Sequence, residues 1–149
     1  MTDDLLVERR IAARPAAVFA YLTDSDRWAR WQGQSAVIEP TPGGRFAMNL
    51  ANGPSAAGEF VAVEPDRRIV FTWGWVGHPG LPPGSSTVEI ELVPDGDGTI
   101  VRLTHRDLPA EERSIHRAGW DHYLPRLAVA ATGGDPGPDA PPSAGEEST

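Results

Sequence analysis

Histidine and tryptophan are the residue types in this chain that could bind or transform a small molecule. The chain has 149 residues, among them four histidines and five tryptophans, but neither cysteine nor lysine. The lack of cysteine excludes disulfides, thiolate nucleophiles and thiolate metal sites. The lack of lysine excludes Schiff-base chemistry and a lysine base. These two absences remove several classes of enzyme.

His105 is the candidate for acid–base chemistry. It shares strand parity with Val101 and Leu103, which predicts an inward-facing position at the end of a strand. An unperturbed imidazole titrates near neutrality, so His105 could contact a ligand or act as a general base at the mouth of a pocket. The simpler interpretation, which we prefer, is a core histidine that hydrogen-bonds a nearby backbone group.

Aromatic side chains are the candidate ligand-binding surface. In a strand predicted over residues 68–75, Trp73 and Trp75 share parity with Ile69 and Phe71, so all four should face one side of the sheet. Such rings commonly fill a core, but several together can also stack on a planar ligand and donate indole N–H groups to it. The predicted ligand-binding residues are Trp28, Trp31, Phe46, Phe71, Trp73, Trp75, His105, Trp120 and Tyr123.

The remaining histidines and the carboxylates do not form a recognisable catalytic or metal-binding motif. His116 and His122 are six residues apart and so do not share a helical face. The sequence contains no H-E-x-x-H, G-x-S-x-G or phosphate-binding glycine motif. Glu89 and Glu91 alternate with predicted buried positions, which places them on the outer face of the sheet. We therefore predict neither a metal nor a cofactor.

The elements that must position these residues follow an order typical of an α+β domain. A strand over residues 4–12 precedes a short helix that starts at Pro15 and a second short helix that carries two of the tryptophans. From residue 35 to 106, alternating apolar residues and turns rich in glycine and proline predict an antiparallel meander, whose last hairpin loop is predicted over residues 94–98. A helix over residues 109–131 follows. Because it should touch the sheet along one stripe, we expect an internal space between them.

We expect the last helix and the loop over residues 77–86 to shape that space. The predicted sheet-facing stripe consists of Ile115, Gly119, Tyr123 and Leu127, with Trp120 and Leu124 beside it. Pro125 cannot donate a backbone bond to Asp121 and should kink the helix. The loop over residues 77–86, which contains His78, is rich in glycine and proline and could gate the space.

The charge of the chain argues against nucleic acid and membrane as partners. Its net charge is −8, with 13 arginines against 21 acidic residues, whereas nucleic-acid binding needs clustered cations. No stretch is long and apolar enough for a membrane span, and the first residues lack the pattern of a signal peptide, so we predict a cytoplasmic protein. Residues 132–149 are rich in glycine, proline and acid and predict a disordered tail after a folded domain over residues 1–131.

Five segments over about residues 5–131 follow one another in a characteristic order: IAARPAAVFAYLTDSDRWARW, GRFAMNL, GEFVAVEPDRRIVFTW, STVEIELVPDGDGTIVRLTH and AGWDHYLPRL. In this order and spacing they resemble SRPBCC proteins, specifically the branch named for the activator of heat-shock protein 90 ATPase homologues. The resemblance implies a helix-grip fold, as in START domains. In that fold a curved antiparallel sheet wraps a long C-terminal helix, two short helices follow the first strand, and the interior holds a hydrophobic cavity.

Three functions fit this resemblance, because one fold can host many activities. We prefer noncatalytic binding of a small hydrophobic or aromatic molecule in the internal cavity of a bacterial protein. One alternative is an enzyme of the polyketide cyclase or dehydratase type that uses His105. The other is a protein-interaction domain related to the chaperone activators. An exposed strand edge also favours a homodimer.

Overall fold

Seven strands and three helices make up the described part of the chain, residues 4–50 and 53–138 of the computed structural model. The strands are β1 (Leu5–Ile11), β2 (Ser35–Ile38), β3 (Arg45–Asn49), β4 (Ser55–Glu64), β5 (Arg68–Trp73), β6 (Ser86–Asp95) and β7 (Gly98–Arg106). The helices are α1 (Pro15–Ala20), α2 (Ser25–Trp31) and α3 (Ala110–Ala131). The predicted α+β order is confirmed.

The strands form one antiparallel sheet in the order β1-β7-β6-β5-β4-β3-β2. Strands β2 to β7 lie in chain order, as a meander requires, and β1 joins the sheet beside β7. The register pairs Leu5 with His105 and Ile11 with Thr99. Strands β1 and β2 are thus the two edges of the sheet, and a homodimer through such an edge stays a prediction.

The hairpin between β6 and β7 is tighter than predicted. The sequence predicted a loop over residues 94–98, but β6 continues to Asp95, which pairs with Gly98. Gly96 and Asp97 alone form the loop. Gly96 has a φ of 60°, a conformation that two-residue hairpin loops require and that glycine adopts without steric cost.

Strand β5 ends at Trp73, two residues earlier than predicted. The chain that follows folds back closely over Gly74, where a Cβ would lie 1.8 Å from the carbonyl oxygen of Pro82. Trp75 donates its backbone N–H to the Leu81 carbonyl at 2.7 Å and forms an isolated bridge to β4. The loop, rather than a continuing strand, therefore positions Trp75.

Local sequence determines the two short helices. Pro15 occupies the first position of α1, where its missing N–H costs nothing. Asp24 caps α2 by accepting a bond from the backbone N–H of Arg27 at 3.0 Å. After α2, Gly33 has a φ of 84°, and a Cβ there would lie 2.8 Å from the carbonyl oxygen of Asn49. Glycine is therefore needed for the connection that brings α2 against the sheet.

The buried face of α3 differs from the predicted stripe. Ile115 is 44% exposed. The buried positions are Glu112, His116, Trp120, Tyr123, Leu124, Leu127 and Ala130. In the first half of α3 this face therefore passes through His116 instead of Ile115. The prediction is confirmed for Trp120, Tyr123, Leu124 and Leu127. It was wrong for Ile115 because it followed apolar residues alone, whereas the buried face includes the polar side chains of Glu112 and His116.

The C-terminal end of α3 anchors the segment that follows it. The helix continues past Pro125 to Ala131, and the kink expected at Pro125 stays a prediction. Arg126 donates to the carbonyls of Trp31 at 3.0 Å and Gly137 at 2.8 Å. The first residues of the predicted tail are thus linked to α2. Residues 139–149 lie outside the described residues, so disorder of the tail also stays a prediction.

Candidate functional site

Helix α3 reaches the middle of the sheet through aromatic side chains. Its backbone lies close to β1, α2 and α1. Its connection to β5 consists of ring contacts: Trp73 meets Trp120 with ring centroids 5.3 Å apart and His116 with centroids 6.2 Å apart. The gap between α3 and β5 is therefore bridged by large side chains.

Rings from α2, β3 and β5 adjoin this gap. Phe46 stacks on Phe71 with centroids 4.3 Å apart and lies 5.7 Å from Trp73. Trp28 meets Phe71 edge-on at 5.8 Å, and its indole N–H donates to Oε1 of Gln32 at 3.0 Å. Because these rings contact one another directly, they form a packed wall beside the gap.

His105 is fully buried, and both of its ring nitrogens are bonded. Its Nδ1 accepts a bond from the indole N–H of Trp120 at 3.1 Å. Its Nε2 lies 2.9 Å from Oγ of Ser86, whose hydroxyl donates to the Trp73 carbonyl at 2.8 Å, so Nε2 carries the proton. Burial lowers the pKa of His105 to about 2, with a further contribution from His116. His105 is thus a neutral core histidine bonded to side chains, rather than to the backbone group expected.

His116 is a second buried imidazole, and it was not among the predicted site residues. Its Nε2 accepts bonds from the indole N–H groups of Trp75 at 3.1 Å and Trp73 at 3.3 Å. Its Nδ1 lies 2.9 Å from the carbonyl oxygen of Glu112 and carries the proton, because a carbonyl can only accept. Burial lowers the pKa of His116 against the opposing effect of Glu112. The rings of His116 and His105 lie 5.2 Å apart, so three indoles donate to two adjacent neutral imidazoles.

Glu112 links His116 to the protein surface. Its Oε2 lies 2.9 Å from Nε2 of His78, and its Oε1 lies 3.6 Å from Nδ1 of His116. His78 accepts the backbone N–H of Gly80 at Nδ1, at 3.1 Å, so its Nε2 donates to Glu112. Side-chain exposure falls from 38% at His78 to 11% at Glu112 and 4% at His116. The loop predicted to gate the interior is therefore tied to α3 by this contact.

The structure brings some of the predicted ligand-binding residues together and separates others. Those that converge on the gap are Trp73, Trp75, His105 and Trp120. Those in the adjoining packed wall are Trp28, Phe46 and Phe71. Trp31 packs on Trp28 of this wall with centroids 4.8 Å apart and donates its indole N–H to a backbone carbonyl at the end of α1, at 3.0 Å. Tyr123 lies apart and packs against His122 with centroids 4.7 Å apart. A role in ligand binding stays a prediction for all nine.

The sequence-based prediction missed three residues of this site, namely Glu112, His116 and Ser86. Glu112 and His116 are four residues apart, and Trp120 follows four residues later, so all three share a helical face. That spacing is a readable signal. Ser86 gave no such signal, because it joins the site through its pairing with Trp73 across β5 and β6.

Glu89 has a structural position on the outer face of the sheet. It is 8% exposed and accepts bonds from Arg68 at 2.6 Å and Arg106 at 2.5 Å. Burial alone would raise the pKa of Glu89, but the two guanidinium groups outweigh burial and lower it. Glu89 is therefore covered by arginines on the face away from the gap.

The described residues offer no cluster suited to a metal ion, and a surface groove lies apart from the gap. Within residues 4–50 and 53–138, no three histidine or carboxylate side chains lie close enough together to hold a metal ion. Among the helices described there, none is long and apolar enough to cross a membrane. A groove of about 560 Å³ lies between α2 and residues 133–138. Its described lining includes Arg30 and Arg126 but none of the rings or histidines of the gap, so the gap is the better candidate site.

Comparison with known proteins identifies the family. A family model described as "Activator of Hsp90 ATPase homolog 1-like protein" matches residues 12–132. The chain belongs to this AHSA1-like family. The match confirms the SRPBCC resemblance and the helix-grip fold, since strand, two short helices, antiparallel sheet and long C-terminal helix occur in the expected order. No curated protein matches the chain.

Solved structures share the fold of this AHSA1-like domain. An AHSA1-like protein from Rhizobium etli is 46% identical, with a TM-score of 0.70 over 93% of this chain and 89% of that chain. DynU16, a protein of the dynemicin biosynthetic locus, is 25% identical, with a TM-score of 0.79 over 91% of this chain and 49% of that chain. An Hsp90 activator from Plasmodium falciparum is 24% identical, with a TM-score of 0.69 over 86% and 95%, and shows the fold alone.

Proposed function

We propose that this AHSA1-like domain binds a small, planar apolar or aromatic molecule in the gap between α3 and β5 without transforming it. The observation that carries the proposal is the way in which this gap is bridged. Trp73 and Trp120 span it ring to ring, with centroids 5.3 Å apart. A planar ligand that displaces one of these rings can make the contacts that the rings make with each other.

Trp75 marks the side from which a ligand would enter. Its ring is half-buried, whereas Trp73 is 2% exposed, and the two rings lie 5.3 Å apart. The loop that follows Trp75 is tied to α3 by the contact of His78 with Glu112 at 2.9 Å. Breaking that contact would remove this tie between the loop and α3 on the side where Trp75 is partly exposed.

The engaged ring nitrogens favour binding over catalysis. A general base needs a lone pair directed at the substrate. The Nδ1 lone pair of His105 is taken by Trp120, and its Nε2 proton is directed at Ser86. The alternative of a polyketide cyclase-like enzyme that uses His105 would require Trp120 to move away first.

The relatives support small-molecule binding and the protein-interaction alternative to different degrees. DynU16 belongs to a biosynthetic locus for a small molecule, dynemicin, which agrees with a small-molecule ligand here. The protein-interaction alternative rests on the description of the family and on the Plasmodium falciparum activator, whose likeness extends to the fold. The arrangement of the indoles in the gap favours small-molecule binding over protein interaction.

The test is a titration with N-phenyl-1-naphthylamine, an apolar aromatic dye that accepts energy from excited tryptophan. We expect micromolar affinity, and Trp120→Phe should weaken it by roughly threefold to tenfold, the value of an aromatic contact. Tyr21→Phe is the control and should leave the affinity unchanged, because Tyr21 lies at the end of α1, where its ring is contacted by Arg27. Binding no tighter than millimolar would overturn the proposal. Co-precipitation of purified Hsp90 in that case would favour the protein-interaction alternative.

A further inference from the structure

The Nε2 atom of His116 is an acceptor shared by two donors. A neutral imidazole has one lone pair, directed in the plane of the ring. The indole N–H groups of Trp75 and Trp73 both point to it, at 3.1 Å and 3.3 Å. Two donors cannot both align with one lone pair, so each bond is weaker than a single aligned bond would be. Replacing one donor by another therefore costs little.

Trp75 is the donor that can be replaced. Trp73 lies within β5, is 2% exposed and packs against Trp120 on one side and Phe46 on the other. Trp75 lies beyond the end of β5 and is half-buried. Its side chain can turn toward solvent while its backbone stays bonded to Leu81.

His116 can only accept at Nε2. Its Nδ1 proton is held by the carbonyl of Glu112 at 2.9 Å, with the carboxylate of the same residue 3.6 Å away. That carboxylate is in turn bonded to His78. The proton is thus fixed on the side of the ring that faces away from the indoles, and the Nε2 side presents a lone pair to whatever lies in the gap.

We infer that the ligand carries a hydroxyl or N–H group on a planar aromatic ring, and that this group takes the place of the Trp75 indole N–H on Nε2 of His116. This inference rests on the proposed function and names the class of ligand. An aromatic ether or ketone would set an oxygen lone pair against the lone pair of Nε2. An analogue without a donor would displace the Trp75 bond and leave Nε2 with only the longer bond from Trp73, so the site should discriminate against it.

The test compares 2-naphthol with 2-methoxynaphthalene, which have the same ring but differ in the donor. Isothermal titration of the full chain should show 2-naphthol binding at least about tenfold more tightly, the value of one satisfied hydrogen bond. Equal affinities would overturn this inference and leave the proposed function intact. If neither compound binds more tightly than millimolar, the proposed function fails, and this inference fails with it.

Two variants separate the hydrogen bond from general packing. In Trp75→Phe, which keeps a ring but removes the competing donor, 2-naphthol should bind several-fold more tightly while the methyl ether is unchanged. In His116→Phe the preference for 2-naphthol should disappear. Equal weakening of both compounds by Trp75→Phe would show that Trp75 serves only as a stacking surface and would overturn the inference.

A spectroscopic measurement on the unaltered protein keeps the test decisive if His116→Phe does not fold. The indole N–H signals of ¹⁵N-labelled tryptophan report the bond made by each ring. The signal of Trp75 should shift on addition of 2-naphthol but hardly move with 2-methoxynaphthalene. Equal shifts with both compounds would contradict the exchange of donors at His116.

Discussion

The indole nitrogen of Trp120 lies 3.1 Å from Nδ1 of His105, and both side chains are buried. This bond joins α3 to β7 across the interior. On the other side of the imidazole, Nε2 is bonded to Ser86, which holds the Trp73 carbonyl. Helix and sheet are therefore connected through the same polar atoms that line the candidate site, so changes at the site should be felt in the stability of the fold.

The bond between Trp120 and His105 should be measurable as a coupling energy. Trp120→Phe should lower the free energy of unfolding by about 2–4 kcal/mol, because it leaves Nδ1 unsatisfied and opens a small cavity. His105→Leu removes the acceptor, so the two changes together should cost about 1 kcal/mol less than their sum. Urea unfolding of the four proteins of the cycle measures this. Trp28→Phe combined with His105→Leu is the control and should be additive, since Trp28 bonds to Gln32.

Acid should destabilise the domain through its two neutral histidines. In the unfolded chain a histidine has a pKa near 6.5. In the folded domain burial lowers the pKa of His105 to about 2 and lowers that of His116. Below about pH 6.5 the unfolded state therefore binds more protons. The stability that the two neutral histidines contribute is fully present above that pH, and it is lost as the pH falls toward their pKa values in the folded state. Between pH 7 and pH 5 His105 should cost about 2 kcal/mol, and the lowered pKa of His116 should add to that loss.

Urea unfolding at the two pH values tests this dependence. His105→Gln should remove the part of the loss in unfolding free energy that comes from protonation of His105 in the unfolded state. Val101→Ala serves as a control for general destabilisation, because it weakens the core without removing a titrating group, and it should show the full loss. A loss in His105→Gln as large as in the original protein would contradict the assignment.

Two glycines should respond to alanine in opposite directions. Gly33 has a φ of 84° and faces the Asn49 carbonyl at 2.8 Å, so Gly33→Ala should destabilise the protein by about 2 kcal/mol or more. Gly119 lies within α3 with nothing within 4 Å of a Cβ, so Gly119→Ala should stabilise it by about 0.5–1 kcal/mol. Thermal unfolding followed by circular dichroism measures both. A lowered melting temperature for Gly119→Ala would contradict the described geometry.

Arg126 should make the segment after α3 contribute to stability. Removing residues 136–149 takes away the Gly137 carbonyl, which accepts from Arg126 at 2.8 Å, and should cost about 1 kcal/mol. In Arg126→Gln the same truncation should have little further effect. Arg117→Gln, an exposed change on the same helix, should leave the effect of truncation intact. Equal costs of truncation in all three backgrounds would show that Arg126 does not hold the segment.

The order of the elements could be predicted from the sequence because its signals are local. Alternation of apolar residues defines the strands, and residues such as Gly96, whose φ is 60°, define where they turn. Parity also predicted that Trp73 and Trp75 face the same side, and both rings contact His116, although it is the loop after β5 that positions Trp75. Strand ends were less predictable, since β5 ends where a distant loop packs over Gly74.

The buried face of α3 could not be predicted in the same way. His116 is polar, and its burial depends on Trp75, more than forty positions earlier in the chain. Glu112 depends in the same manner on His78. A hydropathy pattern records the type of a residue but not the partner that satisfies it. The prediction therefore favoured Ile115, which is exposed.

During synthesis, strand β1 can pair with its neighbour only after most of the domain has been made. Within this domain β1 leaves the ribosome before the other described elements, whereas its partner β7 is followed only by α3. The two strands pair Leu5 with His105 and Ile11 with Thr99. Until β7 emerges, the nascent chain carries β1 without its neighbour, and pairing over such a sequence distance is slow. Removing β7 would leave β1 with no strand beside it in the described sheet, whereas removing β1 would make β7 an edge strand that pairs only with β6.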